Sequence, residues 1–273
     1  MSFLRSPSYV TSRTWKIKRT PQRYLFPSVP PISPTAQGSM RHIGRDNQIQ
    51  ALQVHIANLG PVVTPDISIY DAIASLPKGG GRLILSDGTW AMRSGITTTK
   101  KVHIYAACPG ATRLVRDQDI DEPMITMAND FSSIHGVTFV DSNDTNLVPA
   151  VKITGDYCTV DDCTFENVGT GVEMAGLYWN TVSNCIFQAC EEYGVSVTGS
   201  PIMHSILSNR FVLCSPASGG WLNMASGVDN ALICGNVFDY AAGTIVFTAG
   251  NNQTSAEIES CNSVKLANIT RSS

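Results

Sequence analysis

The chain has 273 residues, of which 43% are apolar, and a formal net charge of −3. This length allows one large domain or two small ones, and the apolar share is sufficient for a hydrophobic core. No stretch reaches the roughly 18 consecutive apolar residues that a membrane-spanning helix needs. No apolar segment near the start has the form of a secretory signal. The composition therefore predicts a soluble globular protein without a membrane partner.

Charge is divided unevenly along the chain. Eight of the 19 basic residues come before Asp46, and none of the 22 acidic residues does. The eight are Arg5, Arg13, Lys16, Lys18, Arg19, Arg23, Arg41 and Arg45. A basic tail on an acidic body is typical of proteins that bind an acidic partner surface, nucleic acid or a membrane. A solvated tail and a mitochondrial transit peptide are the alternatives. Because clustered prolines favour an extended chain, we interpret residues 1–45 as an anchoring arm.

A helical pattern follows the arm. Four apolar residues recur at intervals of three or four, as on one face of a helix. They are Ile49, Leu52, Ile56 and Leu59. The spacing allows a short coiled coil of three strands, and an amphipathic helix packed on its own domain is the alternative. We predict that residues 46–65 form a helix and linker that contribute to oligomerisation.

A second short helix is predicted at the start of the next domain, residues 66–273. Ile69, Ala72, Ile73 and Leu76 share one face, and a run of three glycines follows. The residues from Arg82 onwards then have the composition of a strand. We expect the short helix to cover the N-terminal end of this domain, because an open sheet edge must be protected.

The strongest signal is a repeat that starts at residue 131. Five nine-residue segments each end in phenylalanine, and the fourth residue of each is Ile or Val. The phenylalanines are Phe139, Phe165, Phe187, Phe211 and Phe238, which are 26, 22, 24 and 27 residues apart. Such spacing, with irregular insertions, is typical of solenoid coils. We predict an all-β right-handed parallel β-helix of about five to six coils, with these rings in one buried column.

A second repeat lies between these anchors. Alternation predicts that one set of side chains points inward: Ile153, Met174, Val197, Met224 and Phe247. The intervening set points outward: Lys152, Glu173, Ser196, Asn223 and Val246. This outward row holds one acid, and the outward row before each phenylalanine holds none. Neither row is therefore expected to bring two acids together.

The cysteines follow the same repeat. Cys163 and Cys185 share one position, while Cys190 and Cys214 each lie three residues after an anchoring phenylalanine. We expect two pairs of buried thiols in adjacent coils, which favours assembly in a reducing compartment, although stacked thiols could oxidise. No short paired cysteine spacing or histidine cluster indicates a metal site, and no cofactor is predicted.

A family resemblance agrees with the repeat. IYDAIA at residues 69–74, followed by KGGGRLILSDGTW at residues 78–90, resembles the opening of pectate-lyase-like β-helix domains. Such domains occur in polysaccharide-degrading enzymes, in phage tail spikes and in virion decoration proteins. The family has a tyrosine where Trp90 stands here. The resemblance covers about residues 66–265, and it implies the fold more strongly than any activity.

An enzyme of this fold would carry its chemistry on an outward face. Lyases need a base and acids that hold Ca²⁺, and hydrolases need two carboxyl groups about 5–10 Å apart. If the chain is a polysaccharide lyase or hydrolase, the candidates are Glu173 with Asp162 or Glu166, and Arg210 as a cation. The alternative interpretation is that these acids are solvated turn residues.

The arm, the tail-spike-like repeat and the missing row of acids together predict a structural bacteriophage virion protein, and they favour a non-enzymatic one. We expect a homotrimer, assembled in the host cytoplasm, whose arm binds other virion proteins. A tail spike or fibre and a capsid decoration protein both fit. Host surface polysaccharide would be an additional partner, whereas nucleic acid is not expected. A third hypothesis is a carbohydrate-binding module that uses Tyr178, Trp179 and Trp221.

Overall fold

The computed structural model describes residues 60–116, 120–142, 147–199, 202–214, 220–224, 231–239, 245–248, 262 and 269–272. The chain divides into two units, Met1–Ala51 and Leu52–Ser273, and all described residues belong to the second. The predicted arm, 1–45, and the predicted oligomerisation residues Ile49, Leu52, Ile56 and Leu59 lie outside the described residues. These assignments therefore stay predictions. No helix in the described ranges is long and apolar enough to cross a membrane.

One short helix and 23 strands make up the described secondary structure. The helix is α1 (Ile69–Ser75). The first strands are β1 (Val62–Val63), β2 (Gly81–Leu85), β3 (Gly88–Met92), β4 (Ile96–Thr97), β5 (Val102–Ala106), β6 (Thr112–Arg116), β7 (Ile125–Met127), β8 (Ser133–His135), β9 (Thr138–Asp141), β10 (Pro149–Ile153), β11 (Thr159–Asp161) and β12 (Thr164–Glu166). The others are β13 (Thr170–Met174), β14 (Thr181–Ser183), β15 (Ile186–Gln188), β16 (Tyr193–Val197), β17 (Ser205–Leu207), β18 (Arg210–Val212), β19 (Gly220–Met224), β20 (Leu232–Cys234), β21 (Val237–Asp239), β22 (Ile245–Thr248) and β23 (Ile269–Ser272).

The strands form three parallel sheets. Sheet 1 has the order β1-β2-β5-β8-β11-β14-β17-β20, and sheet 2 has the order β3-β6-β9-β12-β15-β18-β21. Sheet 3 has the order β4-β7-β10-β13-β16-β19-β22-β23. Each strand from β5 to β22 pairs with the strand three positions earlier in the chain, so each coil adds one strand to each sheet. The fold is a right-handed parallel β-helix of about seven turns, as the repeat predicted.

The coil number exceeds the predicted five to six because the first coils lack the phenylalanine anchor. Strand pairing places Leu114 beside Phe139, and Trp90 beside Leu114. Both side chains are buried. Large apolar residues therefore continue the phenylalanine column towards the N-terminal end without repeating its sequence pattern.

The predicted phenylalanine column is confirmed. Successive rings from Phe139 to Phe238 are parallel, with centroids 5.1, 4.8, 4.9 and 4.8 Å apart. Glycines leave room for the rings, since a Cβ on Gly171 would lie 2.5 Å from Phe187 Cδ1 and one on Gly194 2.5 Å from Phe211 Cδ1. The predicted alternation also holds for the four inward residues of sheet 3 whose side chains are described: Ile153, Met174, Val197 and Met224.

The short helix covers the start of the core, as expected. Ser68 caps α1 by accepting a hydrogen bond from the Asp71 amide. Ile69 and Ile73 are buried in the same apolar cluster as the first coils, together with Leu76. Lys100 Nζ donates to the Ala74 carbonyl, which would otherwise have no partner within this short helix.

Thiols and amides form a polar column inside the solenoid. Cys163 and Cys185 lie against each other in adjacent coils, as predicted, and burial raises the pKa of Cys185 well above its usual value. Asn209 continues the column by accepting a hydrogen bond from the Cys185 amide at 2.9 Å. Asn236 does the same for the Asn209 amide at 2.9 Å. The column thus supplies partners to backbone groups that would otherwise be buried without them.

Candidate functional site

The outward face of sheet 3 carries the polar row that alternation predicted. Strand pairing aligns Lys152 with Glu173, Glu173 with Ser196, and Ser196 with Asn223. Three of these side chains are partly exposed, whereas Ser196 is buried at 7% exposure. Ser196 is covered because Asn223 Nδ2 donates to its hydroxyl at 3.1 Å. Glu173, Ser196 and Asn223 of this row line a surface depression.

This depression encloses about 310 Å³. We call it the sheet 3 groove. Its lining residues are Leu147, Pro149, Thr170, Glu173, Glu192, Tyr193, Ser196, Thr198 and Asn223. The wall thus combines two carboxylates, several hydroxyls and an amide with apolar surface, which is a composition suited to a polyhydroxylated ligand.

The two carboxylates of the groove are held by neighbours. Glu173 forms an ion pair with Lys152 at 3.2 Å, and its other oxygen accepts from Thr198 at 3.2 Å. Glu192 accepts from the Thr170 hydroxyl at 3.2 Å. Burial and the Glu192 charge raise the pKa of Tyr193, so its phenol stays protonated and can donate. The groove therefore offers fixed acceptors beside one phenolic donor.

Of the predicted enzyme candidates, only Glu173 lies in the groove. Asp162 is at the corner between sheets 1 and 2, with φ of 54°. Glu166 is on sheet 2, where it pairs with Arg113 at 2.7 Å. Arg210 is also on sheet 2, paired with Asp239. The structure therefore does not bring the predicted set together, because the chain turns a corner between β12 and β13.

Glu192 also lines the groove, although it was not among the predicted site residues. It precedes β16 and therefore lies outside the alternating rows from which the candidates were taken. The pairing of Tyr193 with Thr170 brings this turn against the neighbouring coil, so that Glu192 meets the Thr170 hydroxyl. Glu192 belongs to neither of the two outward rows, but the turn before β16 places it in the same groove as Glu173. The sequence feature that could have identified Glu192 is its position directly before Tyr193, the first residue of β16.

A second polar ladder lies on sheet 1. The Tyr105 and His135 rings stack with centroids 4.7 Å apart, and His135 Nδ1 lies 3.5 Å from an Asp161 oxygen. Burial opposes ionisation of Asp161, but hydrogen bonds from Ser183, Asn184 and His135 keep its pKa below the usual value. The ladder ties four coils together, which is a structural use of these groups.

Two of the aromatics proposed for a carbohydrate-binding module are exposed and one is not. Tyr178 is 41% exposed and Trp179 is 51% exposed, whereas Trp221 is buried at 2%. Trp221 instead packs against Phe238, with ring centroids 4.8 Å apart. The three residues therefore do not form one binding surface, because β19 turns Trp221 into the core.

The comparisons with known proteins agree with this architecture. The family NosD, described as periplasmic copper-binding protein, matches residues 92–258. The match covers more than half of the chain, and the chain belongs to this family. Comparison with curated proteins gives no match.

Several solved structures resemble the chain. A PL6 alginate lyase in complex with a trisaccharide has 16% identity and a TM-score of 0.49, with 71% of this chain and 53% of the lyase covered. A PL6 family polysaccharide lyase from Pseudopedobacter saltans has 14% identity and a TM-score of 0.48, with 70% and 55% covered. ORF18 of Geobacillus virus E2 has 13% identity and a TM-score of 0.36, with 82% and 62% covered. The chain thus spans about half the length of the lyases.

The described residues do not fit a copper site. No group of three or more His, Cys, Asp or Glu side chains is close enough to hold a metal ion within the described ranges. Burial raises the pKa of Cys158 to about 11, and that of Cys190 well above its usual value. Since a thiol must lose its proton to ligate copper, Cys158 and Cys190 are poorly suited to it, whereas the hydrogen bond with Cys190 lowers the pKa of Cys214.

Proposed function

We propose that this chain is a structural bacteriophage virion protein, a homotrimeric β-helix attached to the particle through residues 1–45. The observation that carries the proposal is that outward-facing charged side chains form ion pairs between coils of the solenoid. Lys152 pairs with Glu173 and Arg210 with Asp239 across neighbouring coils, and Arg113 pairs with Glu166 across two coils. A catalytic carboxylate must be free to meet its substrate, whereas a scaffold uses its charges to hold coils in register.

The charge division supports attachment through the arm. All eight basic residues before Asp46 lie in a segment without a single acid, while the remaining chain is acidic. A capsid or tail surface with acidic patches would attract such a segment and orient the β-helix outward. Assembly in the host cytoplasm also suits the buried thiols Cys158, Cys163, Cys185, Cys190 and Cys214. Copper binding is not part of this proposal, because the described residues do not fit it.

Removal of the arm is expected to abolish attachment. In an infected host that expresses the chain, the full protein should co-sediment with purified particles, and a chain lacking residues 1–45 should stay in the soluble fraction. Replacing the eight basic residues by glutamine should have the same effect. Replacing the six arginines among them by lysine is the matched control and should preserve co-sedimentation, because the charge remains. Co-sedimentation of the glutamine variant would contradict attachment by charge, and absence of the full chain from particles would contradict the virion role.

A second function is a polysaccharide lyase or hydrolase, and the sheet 3 groove favours it. Glu173 and Glu192 line one depression with the protonated phenol of Tyr193. A pair of carboxyl groups facing one groove is what glycoside hydrolysis requires, with one as acid and the other as base or nucleophile. Host surface polysaccharide would then be the substrate class.

The groove can be tested on purified protein with neutral and uronate-containing polysaccharides. If the chain is an enzyme, new reducing ends or unsaturated products should appear, and Glu192→Gln or Glu173→Gln should lower the rate at least about 100-fold. Glu166→Gln is the matched control, because Glu166 lies on sheet 2, and it should retain the wild-type rate. Absence of product from every polysaccharide would leave the structural role as the function of the described domain. Equal loss in all three variants would contradict a site in the groove.

A further inference from the structure

A column of bulky side chains runs along the corner between sheets 3 and 1. Each member lies two residues before a strand of sheet 1, and strand pairing places successive members in adjacent coils. The members are Phe131, Tyr157, Trp179 and Met203. We call this column the aromatic ridge. Lys101 precedes it in the same position, with Nζ 5.5 Å from the centre of the Phe131 ring.

The backbone of the aromatic ridge is in the left-handed region, where bulky residues are uncommon. The φ angles of its members are 58°, 56°, 54° and 61°. The corner between sheets 1 and 2 meets the same demand with residues that suit it: Gly136, Asp162, Asn184, Ser208 and Gly235. Turn geometry therefore does not explain the aromatic side chains. Because the strained backbone recurs with bulky side chains in four successive coils, these side chains are inferred to have a function.

Exposure shows that the aromatic ridge is not part of the core. Phe131 is 52% exposed, Tyr157 46%, Trp179 51% and Met203 37%, and Leu177 beside them is 54% exposed. Since an aromatic side chain has about 150–250 Å² of surface, the ridge with its neighbours exposes roughly 500 Å² of mostly apolar area. This is near the upper limit for one apolar patch on a monomer and marks an interaction site.

The shape of the ridge favours a protein over a sugar. The rings of Phe131 and Tyr157 are parallel, with centroids 4.9 Å apart, and Lys101 covers the other face of Phe131. Both faces of the Phe131 ring and one face of the Tyr157 ring are therefore covered, whereas sugars stack on open faces. The ridge is also a convex corner, while small-ligand sites are concave. Phe, Tyr, Trp and Met are the residues that form the centres of protein–protein contacts.

We propose that the aromatic ridge is the surface through which copies of this chain associate with one another. A second copy carries the same side chains at the same coil spacing, so two ridges can interdigitate along their whole length. A typical contact buries roughly 800 Å² per partner. The ridge supplies its apolar centre, and the adjacent outward hydroxyls of Thr159, Thr181 and Ser205 supply a polar rim. Convex corners can meet around one axis, which fits three copies.

The test is the solution mass of the full chain, measured by light scattering. We expect three times the 29.4 kDa of one chain, and a single-chain mass for the double variant Tyr157→Asn, Trp179→Asn. Asparagine suits a positive φ, as Asn167 and Asn184 show in this solenoid, so the variant should fold. An unchanged circular dichroism spectrum and thermal transition check that it does.

Leu213→Asn is the matched control, because Leu213 has φ of 54° and is 52% exposed at a different corner. It should keep the wild-type mass. A wild-type mass of two chains that falls to one in the double variant would equally support the ridge. A wild-type monomer, a double variant that keeps its mass, or an equal loss in the control would overturn the proposal. Because the readout is self-association, the result is independent of attachment to a particle.

Discussion

Replacing Phe187 by alanine is expected to lower the free energy of unfolding by about 3–5 kcal/mol. The side chain is fully buried, and its ring stacks on Phe165 at 4.8 Å and on Phe211 at 4.9 Å. Truncation therefore removes buried apolar area and leaves a cavity between two rings that the parallel strands hold one coil apart. Because the backbone spacing of the sheet is fixed by its hydrogen bonds, the neighbouring rings cannot close the gap.

Guanidinium unfolding followed by circular dichroism would measure this loss. Ile186→Ala is the matched control, since Ile186 precedes Phe187 in β15 but points outward and is 40% exposed. That change should cost less than about 1 kcal/mol. Equal costs at the two positions would contradict the phenylalanine column as the main source of stability in the central coils.

Replacing Asp141 by alanine is also expected to cost about 3–5 kcal/mol, because it leaves a buried guanidinium without its carboxylate. Arg116 Nη1 lies 2.9 Å from Asp141 Oδ2, and the two side chains are 1% and 0% exposed. Arg116 also donates to the carbonyl of Pro149 at 3.2 Å. Pro149 lines the sheet 3 groove, so the same substitution should loosen one wall of the groove.

Asp239→Ala is the control for an ion pair, because the Arg210–Asp239 pair is solvent-exposed, at 59% and 43%. Exposed pairs contribute about 0–1 kcal/mol, so this variant should unfold almost as the wild type does. The double variant Arg116→Met, Asp141→Leu should recover much of the loss, because it removes both charges together. A small loss in Asp141→Ala would contradict the Arg116–Asp141 pair as a large contribution to stability.

The two surfaces with candidate roles differ in what they offer a partner. The sheet 3 groove is concave and lined by carboxylates and hydroxyls, whereas the aromatic ridge is convex and apolar. A glycan needs the former and a protein needs the latter. If copies associate through the ridge, the sheet 3 groove would remain open to a ligand, since the two features use different side chains.

The sequence by itself determined the coil and its interior. The phenylalanine spacing, the alternation around Ile153 and Met174, and the stacking of Cys163 on Cys185 each depend on a pattern that recurs from coil to coil after residue 131. Such a pattern specifies which side chains point inward, because successive residues of a strand alternate between its two faces. The capping helix was predictable for a similar reason, since its apolar residues share one helical face.

Only the tertiary structure decided which residues meet on the surface. The placement of Glu173 and Glu192 in one groove and the exposure of Trp179 depend on the lengths of the turns between strands. Turn lengths vary from coil to coil, so they do not appear in the repeat, yet they set which groups lie side by side. Leu114 and Trp90 could not be assigned to the phenylalanine column from the sequence either. A buried position can be filled by any large apolar side chain, so only the strand pairing shows that these residues share the column.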